Sequence, residues 1–265
     1  MTPVDGNVLI TGATGGIGHA LARAFAARGA NLLLTGRRAD VLDRLAGEVG
    51  GRALPCDLSS RDELDRLLAD LSQDPVDVLV ANAGLPASGL LTALSQDRID
   101  RMLEVNLRAP IALARALAPG MIERHRGHMV FISSLSGKAA SPRSSLYAAT
   151  KFGLRGFALS VREDLRPHGV GVSVVLPGFI RDAGMFAEAG VKLPPGVGTR
   201  SPQQVAAAVI SAVQRNRAEV EVAPATLRLG ATFAGAAPAI AASAQRLLGG
   251  DKVAEQLTAR QRDQR

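Results

Sequence analysis

Asn7-Val8-Leu9-Ile10-Thr11-Gly12-Ala13-Thr14-Gly15-Gly16-Ile17-Gly18 is the stretch that decides how this chain folds. Its first five residues form an apolar run of strand length, and a helical pattern over Gly18–Arg28 follows the glycines. Glycines between a strand and a helix permit a tight turn and let the backbone approach a pyrophosphate. The helix N-terminus then offers unpaired N–H groups and a partial positive charge. A glycine motif alone is weak, but the position after the first strand and before the first helix is the required context. Gly12, Thr14, Gly15, Gly16, Ile17 and Gly18 therefore read as a nucleotide site.

The same alternation continues outward. Strands are predicted over Asn7–Thr11, Asn31–Thr35, Arg52–Cys56, Val76–Ala81, His128–Ser133, Val170–Leu176 and Glu219–Val222. Helices are predicted over Gly18–Arg28, Ala39–Val49, Ser60–Ser72, Gln96–Arg124, Tyr147–Arg166 and Ser201–Arg215. Continuous apolar runs such as Val-Ser-Val-Val-Leu suit strands covered on both faces. Alternating strands and helices imply a parallel sheet with right-handed crossovers. The expectation is one doubly wound α/β Rossmann domain over residues 1–224, with about seven parallel strands flanked by helices. Residues 225–265 read as a helical C-terminal extension, its last twenty residues polar and helical. Phe179–Arg200 is Gly- and Pro-rich and reads as a lid, since long irregular insertions in compact domains are usually binding loops.

Composition narrows the function classes. The chain has 265 residues, 47% of them hydrophobic, which is enough for a sizeable core and rules out general disorder. Cys56 is the single cysteine, so neither a disulfide framework nor a cysteine-rich zinc site is available. This suits a reducing, cytoplasmic setting, and no metal site is expected. The net charge of +7 rests on 27 scattered arginines, without the like-charge runs or the aromatic ladder of a nucleic-acid binder. The chain reaches an apolar run at Val8 with no basic region before it, unlike a signal peptide. Leu229–Gln245 is apolar but falls short of the roughly 20 residues of a span and is broken by Pro238. It reads as a packed helical hairpin or an interfacial segment, the one place for membrane contact.

The predicted strand ends carry the candidate chemistry. The second ends in Arg37 and Arg38, with no acid before Asp40, which favours the 2′-phosphate of NADP; Arg37, following the strand directly, is the better choice. Asp57 and Leu58 follow the third strand, either as an adenine contact or as a helix-capping aspartate. Asn82, Ala83 and Gly84 follow the fourth and leave room for a ligand. Tyr147, the only tyrosine, precedes Lys151 by one helical turn, either as an acid/base couple or as a buried aromatic beside a lysine. Ser134, at the fifth strand's end, is placed to hold a substrate oxygen in the same crevice. Asn106 falls mid-helix, where its side chain either bends the helix or binds a water.

Taken together, Thr11-Gly12-xxx-Gly16-Ile17-Gly18, Asp57-Leu58, Asn82-Ala83-Gly84, Asn106, Ser134, Tyr147-xxx-Lys151 and Pro177-Gly178 resemble the short-chain dehydrogenase/reductase family, almost to Ala223. The resemblance implies a tetrad of Asn106, Ser134, Tyr147 and Lys151. Ser134 would bind the carbonyl oxygen and Tyr147 would donate the proton. Lys151 would bind the nicotinamide ribose and lower the tyrosine pKa, and Asn106 would hold a water. It implies NADP(H) as the preferred cofactor, NAD(H) as the second choice, and a carboxamide contact at Ile180 beyond Pro177 and Gly178. One departure is Asp182, where the family commonly has threonine; another is Ala81, where it more usually has asparagine. Phe179, Met185, Phe186, Val191 and Leu193 would give the lid an apolar lining, suited to a hydrophobic carbonyl or alcohol. A homodimer or homotetramer is expected, pairing Gln96–Arg124 and Tyr147–Arg166. A non-catalytic NADP-binding regulator and a membrane-peripheral lipid or 3-oxoacyl reductase are the competing readings.

Overall fold

The computed structural model describes residues 4–72, 74–86, 89–182 and 197–247, with side chains to residue 243. Seven strands form one sheet: β1 (Asn7–Thr11), β2 (Asn31–Gly36), β3 (Arg52–Pro55), β4 (Val78–Ala81), β5 (Gly127–Ile132), β6 (Val170–Pro177) and β7 (Glu219–Val222). Their order is β3-β2-β1-β4-β5-β6-β7 and every pairing is parallel. Strand order reverses beside β1, so the crevice opens between the C-terminal ends of β1 and β4.

The period-two alternation of the strands splits the core into two layers. Val8 and Ile10 face one way, onto Phe25 of α1 (Gly16–Ala26), Leu42 of α2 (Ala39–Val49) and Val209 of α7 (Pro202–Arg215). Leu9 and Leu79 face the other, onto α3 (Arg61–Leu71), α5 (Ala109–Glu123) and α6 (Ser145–Leu165). Both layers are aliphatic, with Phe25 and Phe131 the two phenylalanines fully enclosed among the described residues.

Most boundaries shift by one or two residues, and three departures from the expectation have clear physical reasons. Helix α1 begins at Gly16, two residues early, because Gly15 is its extended N-cap. The predicted Gln96–Arg124 helix is interrupted: α4 (Gln96–Leu103) passes through a π-helical turn at Glu104–Arg108 before α5. Asn106 lies within that turn. Asp57 does not cap α3; Ser60 does, accepting from Glu63 N.

The C-terminal stretch forms a helical hairpin, α8 (Ala225–Ala236) and α9 (Pro238–Leu247), broken before Pro238. The packing expected of it is slight: among its described side chains only Ala231 is buried. It is joined to the body by ion pairs. Arg228 binds Glu221 at 3.0 Å, and Lys138 binds Glu221 at 2.6 Å and Glu219 at 3.1 Å. Arg155 of α6 completes the cluster on Glu219 at 2.5 Å. Four of the lid residues, Met185, Phe186, Val191 and Leu193, lie outside the described residues, as do the chain's last eighteen.

Candidate active site

The glycine turn is fixed by steric limits that the sequence could only suggest. Gly12 has φ +63°, and a Cβ there would lie 2.7 Å from Ala83 Cα. A Cβ on Gly18 would lie 2.3 Å from Gly12 O, so α1 could not approach the turn with any larger residue. Thr11 Oγ1 accepts from both Asn82 N and Ala83 N at 3.0 Å. Asn82 Nδ2 donates to Thr11 O at 3.0 Å and to Gly12 O at 3.2 Å. Asn82 thus ties β4's end to the turn, and its amide is spent on backbone.

Outside the turn is a cleft of about 420 Å³ lined by Thr14, Gly16, His19, Arg23, Arg38 and Asp182 among others. Arg38 Nη2 donates to Thr14 O, bringing its guanidinium onto the turn. Arg37 is exposed and acts electrostatically on Asp57 instead. The cleft is therefore cationic, and one result is that His19 is held below its ordinary value, by burial first and then by Arg23. His19 and Arg23 were not anticipated; their place on the first two turns of α1, directly after Gly18, is the signal that could have found them. Asp182, at φ +69°, pairs with Arg181 at 3.2 Å. Asp57 accepts from Ser59 N at 2.9 Å and from Arg101 at 3.1 Å, with Leu58 buried beside it.

The second half of the site lies at the ends of β5 and β6. The Ser134 side chain is close enough to the Tyr147 phenol to favour its ionised form. Lys151 Nζ lies 5.6 Å from the centroid of the Tyr147 ring and donates to Ile132 O at 2.9 Å. Burial pushes the Tyr147 phenol up to about 12, although Ser134 pulls the other way. Burial also brings the Lys151 ammonium down to about 8. This departs from the expected lowering of the tyrosine by lysine: burial outweighs the one opposing influence, that of Ser134.

Asn106, fully buried, reaches the loop after β4. Its Oδ1 accepts from Leu85 N at 2.7 Å and its Nδ2 donates to Leu85 O at 3.0 Å. The side chain expected to hold a water is committed to a peptide group. Ser133, which the sequence did not single out, donates to Lys151 O at 2.9 Å and fixes α6 against β5. Gly178 N donates to Val222 O at 3.1 Å, so Pro177 and Gly178 extend the β6–β7 ladder. Ile180 is buried and bridges to Arg200.

A glycine turn, a cationic cleft beside it and a Ser–Tyr–Lys cluster thus share the C-terminal edge of one sheet. Residues 6–193 match the family model described as short chain dehydrogenase. The chain belongs to that family. It is 36% identical over 231 residues to "Ketoacyl reductase HetN" of Nostoc sp., covering 84% of this chain and 80% of that protein. It is 35% identical over 236 residues to "Dehydrogenase/reductase SDR family member 7B" of Bos taurus, covering 82% and 73%. Among solved structures, a short-chain dehydrogenase from Sphingobium yanoikuyae in complex with NADPH aligns with TM-score 0.77 and 28% identity, over 92% of this chain and 94% of that one. A metagenomic short-chain oxidoreductase in complex with NADP aligns with TM-score 0.70 and 33% identity, over 82% and 96%. As a short-chain dehydrogenase, the chain is an oxidoreductase acting on CH–OH groups with a nicotinamide cofactor.

Proposed function

We propose that this short-chain dehydrogenase interconverts a hydrophobic carbonyl compound and its secondary alcohol, with NADP(H) preferred over NAD(H). The observation that carries the reading is the cluster of Ser134, Tyr147 and Lys151 beside the strand edge where the glycine turn opens. The turn fits a dinucleotide: its backbone is bare at Gly12, Gly15, Gly16 and Gly18, and α1 begins on it. Arg38 on the turn and Arg37 beside Asp57 supply guanidinium groups for a 2′-phosphate, with Leu58, Ala83 and Gly84 alongside. Two solved relatives are complexes with NADPH or NADP, which supports the same choice.

When bound, the nicotinamide supplies or accepts the hydride. Ser134 orients the carbonyl oxygen by donating its hydroxyl proton in a hydrogen bond. Tyr147 gives its phenolic proton to that oxygen in reduction and takes it back in oxidation. A phenol at about 12 remains protonated at neutral pH and is ready to donate. Lys151, at about 8, is the group nearest to titrating in the working range, and it holds the ribose and attracts the phenolate. Asn106 acts by fixing the Leu85 loop and the π-turn. Ile180, after Pro177 and Gly178, offers backbone to the carboxamide. The reading divides the chain at residue 224, with the extension covering one side of the site. A dimer or tetramer would form through α4–α5 and α6, where Leu103 and Phe152 are exposed.

The test is NADPH oxidation followed by absorbance across a panel of ketones and 3-oxoacyl thioesters. Tyr147→Phe is expected to keep NADPH binding and lose about 10²- to 10⁴-fold in turnover. Full activity in that variant, or no turnover of any carbonyl by the parent enzyme, refutes the reading in favour of a binding protein.

A further inference from the structure

Three segments leave the C-terminal edge of the sheet and rim the mouth of the Ser134–Tyr147 site. One follows β4, one follows β5, and the third is the α8–α9 hairpin after β7. They touch one another. Gly89 N donates to Arg143 O at 2.8 Å, joining the first two. Gly235 of α8 sits so close to the second that a Cβ there would lie 2.9 Å from Lys138 O.

Their composition is lopsided. From Val78 to Gln96 there is no charged residue of either sign. From Ser133 to Tyr147 the only charges are Lys138 and Arg143, and from Val222 to Gly250 they are Arg228 and Arg246. The carboxylates of the neighbouring β7, Glu219 and Glu221, are taken up by Lys138, Arg155 and Arg228. Asp182 is paired with Arg181, and Asp97 follows the first segment beside Arg98. The same rim carries five of the seven large hydrophobic side chains exposed among the described residues. Leu90 is 51% exposed, Leu91 62%, Leu229 72%, Phe233 52% and Ile240 63%. Leu229 and Phe233 stand one helical turn apart on one face of α8. Leaving such side chains in water is unfavourable, and a contiguous set of them marks an interaction surface.

We propose that this rim docks on an anionic lipid bilayer, with the hairpin lying in the interface and the site opening toward the acyl region. Apolar side chains beside an excess of cations, with Lys138, Arg143, Arg155 and Arg228 set against Glu219 and Glu221, match a surface of acyl chains beneath negative headgroups. A second copy of the chain fits less well. A two-fold interface would set this cationic rim against itself and bring like charges together. Among the described residues no helix is long and apolar enough to cross a membrane, so the contact is peripheral. The docking rests on the surface alone. Only its consequence, that the carbonyl substrate is lipid-soluble and arrives from the bilayer, rests on the oxidoreductase reading above.

Flotation of the full chain with vesicles tests the docking without reference to activity. The vesicles are phosphatidylcholine alone, or phosphatidylcholine with about a third phosphatidylglycerol. The chain is expected to float with the anionic vesicles, only weakly with the neutral ones, and less as salt is raised. The double variant L229E/F233E is expected to lose at least about tenfold in partitioning, because two apolar groups no longer enter the interface. Both side chains are exposed, so its melting temperature is expected to match the parent's, which separates lost docking from lost folding. Failure of the parent chain to float with anionic vesicles overturns the proposal, as does equal flotation with neutral ones or by the variant. If the parent does not float, and L229E/F233E instead converts an oligomer to monomer in light scattering, the face belongs to self-association.

Discussion

Asn106→Ala is expected to loosen the site from below, and its cost can be worked from the geometry. The Asn106 amide closes a two-bond ring on the Leu85 peptide, at 2.7 Å and 3.0 Å, from a fully buried position. Its third contact, to Thr150 Oγ1 at 3.4 Å, is long and adds little. Removing the amide orphans one N–H and one C=O. Each buried orphan costs about 1–3 kcal/mol, and Leu85 is only half-buried, so the two together cost about 3 kcal/mol. For a chain of this size that corresponds to a melting temperature lower by roughly 6–12 °C. Asn106→Asp keeps the acceptor for Leu85 N but turns a donor into an acceptor facing Leu85 O. It is expected to be at least as damaging at neutral pH and to recover in mild acid, where a protonated carboxyl can donate again. Calorimetry of the three proteins at pH 7 and pH 5 reads both effects. A melting temperature for Asn106→Ala within about 2 °C of the parent would show that the Leu85 ring carries no weight.

Arg38→Ala is expected to weaken NADPH about tenfold in titration calorimetry while leaving NADH nearly unchanged, since a charge-assisted contact to the 2′-phosphate is lost; Arg37→Asp shifts the preference the same way, and equal losses for both cofactors would remove these arginines from the phosphate. His128 is buried with Nε2 2.8 Å from Ser173 Oγ, and burial brings it down to about 3 from 6.5. The unfolded chain therefore binds the proton between those values and the folded chain does not. Urea denaturation should lose about 2 kcal/mol from this residue between pH 8 and pH 5, with a shallower fall in His128→Asn, and parallel curves for the two proteins would refute it. Gly137→Ala puts a Cβ 2.7 Å from both Lys151 O and Ser133 Oγ, so turnover is expected to fall about 100-fold with NADPH affinity kept; an unchanged kcat would show that the loop gives way harmlessly.

Much of this architecture was legible because the strands announce themselves. The run Val170–Pro177 is apolar but for Ser173, and in a parallel sheet every position is covered. The glycine turn was legible for the complementary reason, since Gly12 and Gly18 stand where no side chain fits. What the sequence concealed was partnership at a distance. Nothing near Asn106 points to Leu85, twenty-one residues away, and nothing near Thr11 indicates that its hydroxyl serves two amides after β4. The different placement of the two arginines was hidden in the same way. Arg37 follows the strand, but Arg38 folds back onto Thr14, because the chain turns into α2 at that residue. The hairpin was read as packed or interfacial, and its exposure favours the second alternative.

The tethers fall into a pattern that separates chemistry from positioning. Asn82, Asn106, Ser133 and Thr11 all spend their side chains on backbone groups, and all sit one or a few residues from a group aimed at the crevice. The tightest case is the loop after β5. Ser133 grips the Lys151 carbonyl, and Gly137 closes on the same carbonyl at a distance only glycine allows. Ser134 lies between these two contacts, and Lys151 is one turn from Tyr147. The distance from serine to tyrosine is thereby set by backbone packing on both sides of Ser134. A lone tyrosine with a phenol raised by burial makes a weak acid in itself. Its usefulness depends on being held where the acceptor oxygen will be, because proximity multiplies the effect of an acid that pKa alone leaves feeble.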